Sequence, residues 1–232
     1  MIARLAAVLG IAALLAGCGS DPTLPAKTSS ATALVDLTVA RIAQRRSSSP
    51  AAAPAPLTRA AIDAAPKPLR LITIENRNAR DSVFLTHRVG DVEVHRTVLG
   101  LLMAFRGGVL VATRGFGPDL MSAEVPSAAA LRRGSGGHRR IHDYLSGTNA
   151  TVRVAFDCSL AAAGSETLDL VGLGLATSVV TERCTPTSPV PGFVPEGAIE
   201  NRYWFDRTGR VRQARQWVSP LVGYIVAADP MR

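Results

Sequence analysis

The sequence predicts a mainly β fold: an antiparallel β-sandwich or barrel-like domain behind a short N-terminal helical preface. Three observations predict it. From Leu69 onward apolar and polar residues alternate with period two, most cleanly where Val152, Val154, Phe156, Cys158 and Leu160 interleave with Arg153, Ala155, Asp157 and Ser159. Turn pairs, Gly90-Asp91, Gly107-Gly108 and Thr208-Gly209, punctuate these runs at hairpin spacing. And 232 residues, 47% of them apolar, suffice to bury a core.

In chain order, Met1–Cys18 comes first. Arg4 supplies a short positive region, and Leu5–Ala16 is a mostly apolar run, too short for the roughly 20 residues that span a bilayer. It ends in Leu15-Ala16-Gly17-Cys18, which looks like the lipobox of bacterial lipoproteins. Residues 1–17 are therefore expected to be a signal peptide, and Cys18 the carrier of a covalent lipid anchor. No other cofactor is expected. An ordinary signal peptide with a fortuitous Cys is the alternative. Gly19 rather than Asp follows the Cys, which leans toward the outer membrane, facing the periplasm.

Residues 18–30 read as the lipidated Cys and a tether, and 31–68 as the helical preface with a Pro/Ala/Ser-rich linker. Leu34, Val35, Val39 and Ile42 recur at helical spacing, and Thr58 is placed to cap a short helix, Arg59–Ala64, that Pro66 stops. The β-rich periplasmic domain occupies 69–228. Its strands are expected at Leu69–Glu75, Ser82–His87, Val92–Thr97, Val109–Thr113, Val152–Leu160, Thr167–Val171, Ala176–Arg183, Asn201–Phe205, Val211–Trp217 and Tyr224–Ala227, with one helix at Ala128–Arg133. Thr185–Ala198, with four Pro, reads as an exposed loop.

Cys158 and Cys184 remain for the exported domain, and an even pair in an oxidising compartment reads as one disulfide, with two free buried thiols as the alternative. The net charge is +8, and every cationic side chain except Lys27 and Lys67 is arginine. Two readings stand: bidentate recognition of anionic partners, or the codon bias of a GC-rich genome. Charge alone implies no nucleic-acid partner.

Candidate chemistry is sparse. His138 and His142 have metal-ligand spacing, but two arginines lie between them, so a surface segment is expected and no metal. The nucleophile-elbow and phosphate-loop patterns are absent, and no catalytic residue is assigned. Arg132, Arg133, Arg139 and Arg140 flank the glycine-rich 134–137 and could hold an anionic glycan; a solvated charge run is the alternative. Tyr203, Trp204 and Trp217 could stack on sugar faces, or could be core.

With the lipobox, several segments resemble the YjbF/GfcB family of group 4 capsule and exopolysaccharide lipoproteins. They are Leu110-Val111-Ala112-Thr113-Arg114-Gly115-Phe116-Gly117, Asp119-Leu120-Met121-Ser122-Ala123, Asn201-Arg202-Tyr203-Trp204-Phe205-Asp206, Arg215-Gln216-Trp217-Val218 and Gly223-Tyr224. Arg139-Arg140-Ile141-His142 and the two Cys positions also fit. The resemblance implies a β-rich periplasmic domain held at the outer membrane, with an accessory role in polysaccharide export, and the expected role is a non-enzymatic one in polysaccharide assembly or export. The partners it implies are the polymer or outer-membrane export proteins, and it implies no catalytic residues. A structural envelope lipoprotein that scaffolds other proteins, or a polysaccharide-modifying enzyme, are the alternatives.

Overall fold

A computed structural model describes residues 57–117, 119–146, 150–195 and 197–232. The signal peptide, Cys18, the tether and the helix expected near residues 31–46 lie outside the described residues.

The described chain opens with α1 (Arg59–Asp63), where the Thr58 hydroxyl accepts from the Ala61 amide at 3.2 Å, an N-cap of the expected kind. Arg59 pairs with Asp63 one turn on, Ile62 is fully buried, and Pro66 follows as the stop. Twelve strands come next: β1 (Leu69–Ile74), β2 (Ala79–Val89), β3 (Val92–Arg96), β4 (Leu102–Arg106), β5 (Val109–Arg114), β6 (Leu120–Glu124), β7 (Gly137–Leu145), β8 (Thr151–Asp169), β9 (Gly174–Pro186), β10 (Ile199–Phe205), β11 (Val211–Ser219) and β12 (Gly223–Ala228). A second helix, α2 (Ala128–Arg132), separates β6 from β7.

Each strand pairs antiparallel with its sequence neighbours, except that β5 and β6 do not pair with each other, and β1 pairs with β12, so the meander curls into a nearly closed barrel. The sandwich alternative is thereby resolved. The ends of the sheet, β5 and β6, meet at a seam closed by side chains. Arg114 donates to the carbonyls of Leu120 (3.1 Å) and Met121 (3.3 Å), and the Thr113 hydroxyl takes the Leu120 amide at 3.0 Å. Asp119 gathers the Gly115 and Phe116 amides and the Thr113 hydroxyl, which ties down the connecting loop. Edge groups that would template another chain are thus partly consumed within the molecule.

Hairpin turns fall where the glycine pairs predict them. In the β4–β5 turn Gly107 (φ 56°) and Gly108 (φ 86°) are both left-handed, as a two-residue turn of type I′ requires. A side chain at Gly108 would meet Val211 at 2.7 Å, so this turn also needs glycine for close approach.

Because strands alternate in direction, the barrel has two rims. The chain enters at Leu69 on one, here called the entry rim. It also carries α2, the β2–β3, β4–β5, β8–β9 and β10–β11 turns and the C-terminus. The far rim carries the β1–β2, β3–β4, β5–β6, β7–β8, β9–β10 and β11–β12 connections. The interior is filled by two apolar clusters. One is built on Phe105, Tyr144, Phe156, Trp217 and Ile225; the other sits under α2 and is built on Leu131, Tyr203, Phe205 and Val211.

Several elements differ from expectation. Strands β4, β6 and β7 lie where none is expected, and the separate strand expected at Thr167–Val171 is the end of β8. The Pro-rich segment does not lie free throughout. Its Val190, Phe193 and Val194 are half-buried on the core, with the Phe193 ring 5.6 Å from that of Tyr144. The Cys pair forms a disulfide, with Cys158 and Cys184 directly opposite each other on β8 and β9.

Candidate functional site

Helix α2 is short, capped by the Ser127 hydroxyl on the Ala130 amide at 3.2 Å, and anchored by the fully buried Leu131. It ends at Gly134, whose left-handed φ of 63° turns the chain back into β7; a side chain there would press on Ala162. Its last turn delivers Arg132 and Arg133, both exposed, to the entry rim. Opposite stands the β10–β11 turn. The Asp206 carboxylate braces it by accepting from the amides of Thr208 (2.9 Å) and Arg210 (3.1 Å) and from the Thr208 hydroxyl (2.6 Å). Burial raises the Asp206 pKa, but these hydrogen bonds and the nearby Arg212 outweigh it and hold the group below the ordinary aspartate value.

Between α2 and this turn lies a cleft of about 420 Å³, lined by Ala129, Arg132, Arg133, Thr208 and Gly209. Arg132 also lines an adjoining cleft of about 380 Å³, together with Ser165, Glu166, Thr167, Ser178 and Arg207. Gly209 makes room for the Arg132 guanidinium, since a Cβ there would lie 2.9 Å from its Nη1.

The acidic groups nearby are already engaged. Glu166 accepts from the Trp204 indole at 2.6 Å and from Arg202 at 2.7 Å, and the indole bond foremost lowers its pKa. Among the described residues Arg132, Arg133 and Arg207 form no ion pair, so three guanidinium groups and several hydroxyls face a concave, solvent-filled space. Guanidinium forks match carboxylate and phosphate, and Ser/Thr hydroxyls match sugar hydroxyls.

The other expected site residues lie elsewhere. Arg139 is exposed on the outer face of β7, next to the cluster in sequence but on the barrel wall. Arg140 is not part of a surface patch: it points into the barrel and is 1% exposed. There it lies 3.3 Å from Glu182 and donates to the Tyr203 hydroxyl at 3.2 Å. Asn201, Tyr203 and His138 complete the ring around Glu182, at 2.7, 2.8 and 2.7 Å. Burial pushes the Glu182 pKa up, yet Arg140 and these hydrogen bonds prevail and lower it to about 2.

The expected aromatic platform is also corrected. Tyr203, Trp204 and Trp217 are 0%, 5% and 8% exposed, so none offers a ring face to a sugar. Trp204 is sealed between Glu166 and the Arg202 guanidinium, which lies 4.9 Å from its ring. His138 and His142 do not form a surface segment. His142 is buried, bonded to the Tyr144 hydroxyl at 2.9 Å, and burial followed by the Arg140 charge lowers its pKa to about 3. His138, Cys158 and Glu182 have ligand atoms within 4.8 Å of one another, but the Cys158 sulfur is committed to the disulfide and Glu182 to its ring of donors. Arg207 escaped the sequence reading: the Thr208-Gly209 turn signal lies beside it, but nothing local ties it to Arg132, 75 residues earlier.

No curated protein matches the sequence. Among solved structures, the hypothetical lipoprotein YmcC from Escherichia coli K12 superposes with a TM-score of 0.65 at 20% identity, over 89% of this chain and 98% of that one, a likeness of fold. The sequence profile described as group 4 capsule polysaccharide lipoprotein gfcB, YjbF matches residues 33–227. With the profile running from before α1 almost to the end of β12, the chain belongs to the YjbF family of group 4 capsule polysaccharide lipoproteins.

Proposed function

We propose that this protein is a lipid-anchored, non-enzymatic accessory of capsule or exopolysaccharide assembly that holds anionic glycan at the entry rim of its barrel. The observation that carries the reading is the trio of Arg132, Arg133 and Arg207, unpaired around two joined clefts whose carboxylates are already spent on other donors. The lipid sits on Cys18 after removal of residues 1–17, and two or three acyl chains hold the protein firmly where one would not. The domain stands in the periplasm at the outer membrane, where export proteins are within reach.

The test is retention of an acidic capsular polymer on immobilised protein. At low salt, replacing Arg132, Arg133 and Arg207 by Ser is expected to weaken retention at least about tenfold, the equivalent of roughly 1.4 kcal/mol. Wild-type retention should fall as salt screens the charges. Retention that ignores both the substitutions and the salt refutes the glycan role and favours a scaffold; release of shortened or modified polymer reveals an enzyme. Palmitate labelling that survives Cys18→Ser refutes the anchor.

A further inference from the structure

The far rim differs in character from the entry rim. Its β3–β4 connection is a tight turn in which the Gly100 amide bonds the Thr97 carbonyl at 3.1 Å. The Thr97 amide bonds the Leu101 carbonyl at 2.9 Å, and the Leu101 amide bonds the Thr97 hydroxyl at 3.0 Å. This bracing presents Val98 and Leu99 at the apex, 85% and 86% exposed, the most exposed large apolar side chains among the described residues. Leu221, 51% exposed, stands on the β11–β12 turn of the same rim, with its carbonyl held by the Asn76 side chain at 2.9 Å.

The β5–β6 loop joins the two turns: Leu101 lies against Gly115 and Leu221 against Gly117, where any side chain would come within 2.9 and 2.8 Å of them. Single exposed aliphatics are ordinary on a soluble surface, but three on one braced rim are not.

On this rim arginines without a carboxylate partner outnumber the acidic groups without a cationic one. Arg77, Arg96 and Arg114 have no carboxylate partner among the described residues. Glu75 is taken up by Arg215 at 2.8 Å and Asp119 by its own loop, which leaves Asp81 and Glu200 as the acidic groups there without a cationic partner among the described residues. An exposed apolar tip on a rim that also carries Arg77 and Arg96 suits an interface of acyl chains under anionic headgroups, whereas a protein partner would more commonly meet a groove or a flat patch.

We infer that Val98, Leu99 and Leu221 dip into the phospholipid surface to which the chain is tethered, with Arg77 and Arg96 on the headgroups. The inference rests on the Cys18 anchor proposed above. The chain enters the barrel at the opposite rim, but the 38 residues between Cys18 and Leu57 can span up to about 130 Å, ample for either rim to face the bilayer. With the far rim in the membrane, the arginine cleft of the entry rim faces away from it, toward a polymer in transit.

The test uses the full lipidated chain in vesicles of phosphatidylethanolamine and phosphatidylglycerol. Leu99→Cys, and separately Val98→Cys, carries an environment-sensitive nitrobenzoxadiazole label, with Val89→Cys on the entry rim as reference. The expected result is a blue shift and loss of most quenching by aqueous iodide for labels at 98 and 99, and neither change at 89. Vesicle flotation with an unshifted label at both far-rim positions overturns the rim contact and leaves the anchor standing. Failure of the wild type to float overturns both. A shift that needs added envelope proteins, and is absent with vesicles alone, overturns the lipid assignment in favour of a protein partner.

Discussion

Arg140 on β7 and Glu182 on β9 face each other inside the barrel, Nη1 to Oε2 at 3.3 Å, with 1% and 0% of their side chains exposed. The two strands are not neighbours; β8 lies between them, so the pair is made across the curved interior. Taking two charges out of water is expensive, and the attraction offsets it only because Asn201, Tyr203 and His138 occupy the remaining lone pairs of the carboxylate. Such a pair fixes which strands face each other more than it adds net stability.

Breaking the pair should therefore be far worse than removing it whole. Glu182→Leu alone leaves a buried guanidinium without its counter-charge and should destabilise by about 3–5 kcal/mol. Adding Arg140→Met to Glu182→Leu should recover a large part of that loss. Urea unfolding of the two single variants and the double variant measures the coupling. Strictly additive losses would show that the charges do not depend on each other.

Acid sensitivity follows from the same interior. His142 has a folded pKa of about 3, lowered first by burial and then by Arg140, against an ordinary 6.5. Below 6.5 the unfolded chain takes up a proton that the folded one refuses, so stability falls as pH drops from about 6.5 toward 3. One such group gives a slope of about 1.4 kcal/mol per pH unit. His95, lowered to about 4 by burial and Arg70, acts in the same direction over a narrower window. Glu182, at about 2 folded against 4.5, adds its own loss below 4.5. The urea midpoint of His142→Phe should depend less steeply on pH between 6 and 4 than that of the wild type, by about one proton.

What the sequence made legible tracks how conventional the interior is. On β8, Val154, Phe156 and Cys158 turn inward and Arg153, Asp157 and Ser159 outward, so period two reads directly. The same geometry hides β7, because Arg140, His142 and Tyr144 are its inward residues. A strand that buries an arginine and a histidine inverts the usual pattern, and with Gly134, Gly136 and Gly137 in front it reads as a loop with a charge run. The same inversion moved Arg140 into a surface cluster that in fact keeps Arg132 and Arg133. Its third cation, Arg207, comes from a turn that only closure of the sheet brings near α2. Tyr203 and Trp204 are adjacent and both buried, one inside the barrel and one beneath the Arg202–Glu166 pair outside it, which no alternation rule separates into core and surface.

The glycines of the entry rim should differ by their surroundings. Gly108→Ala meets Val211 at 2.7 Å with φ at 86°, so it combines strain with overpacking and should destabilise by about 2–4 kcal/mol. Gly90→Ala has φ 58° and nothing within 4 Å, so it should lose only about 1 kcal/mol. Thermal unfolding of the two variants ranks them; equal shifts in Tm would mean that the Val211 contact relaxes freely.

The disulfide sets the last expectation. Cys158 and Cys184 are directly opposed on β8 and β9, 26 residues apart, and both sulfurs lie in the large apolar cluster. The link removes loop freedom from the unfolded chain, worth about 3 kcal/mol for a loop of this length. The β8–β9 ladder itself does not need it, since twelve residue pairs match along the two strands on either side of one register shift between Ala162 and Ser165. Paired Cys158→Ala and Cys184→Ala substitutions should thus keep the β-rich far-ultraviolet spectrum while lowering the unfolding free energy by about 3 kcal/mol. The small Ala side chains leave no buried hydroxyl, so the loss reports the cross-link and the vacated sulfur volume. A variant that loses its β spectrum in buffer would show instead that the link is required for the strands to pair.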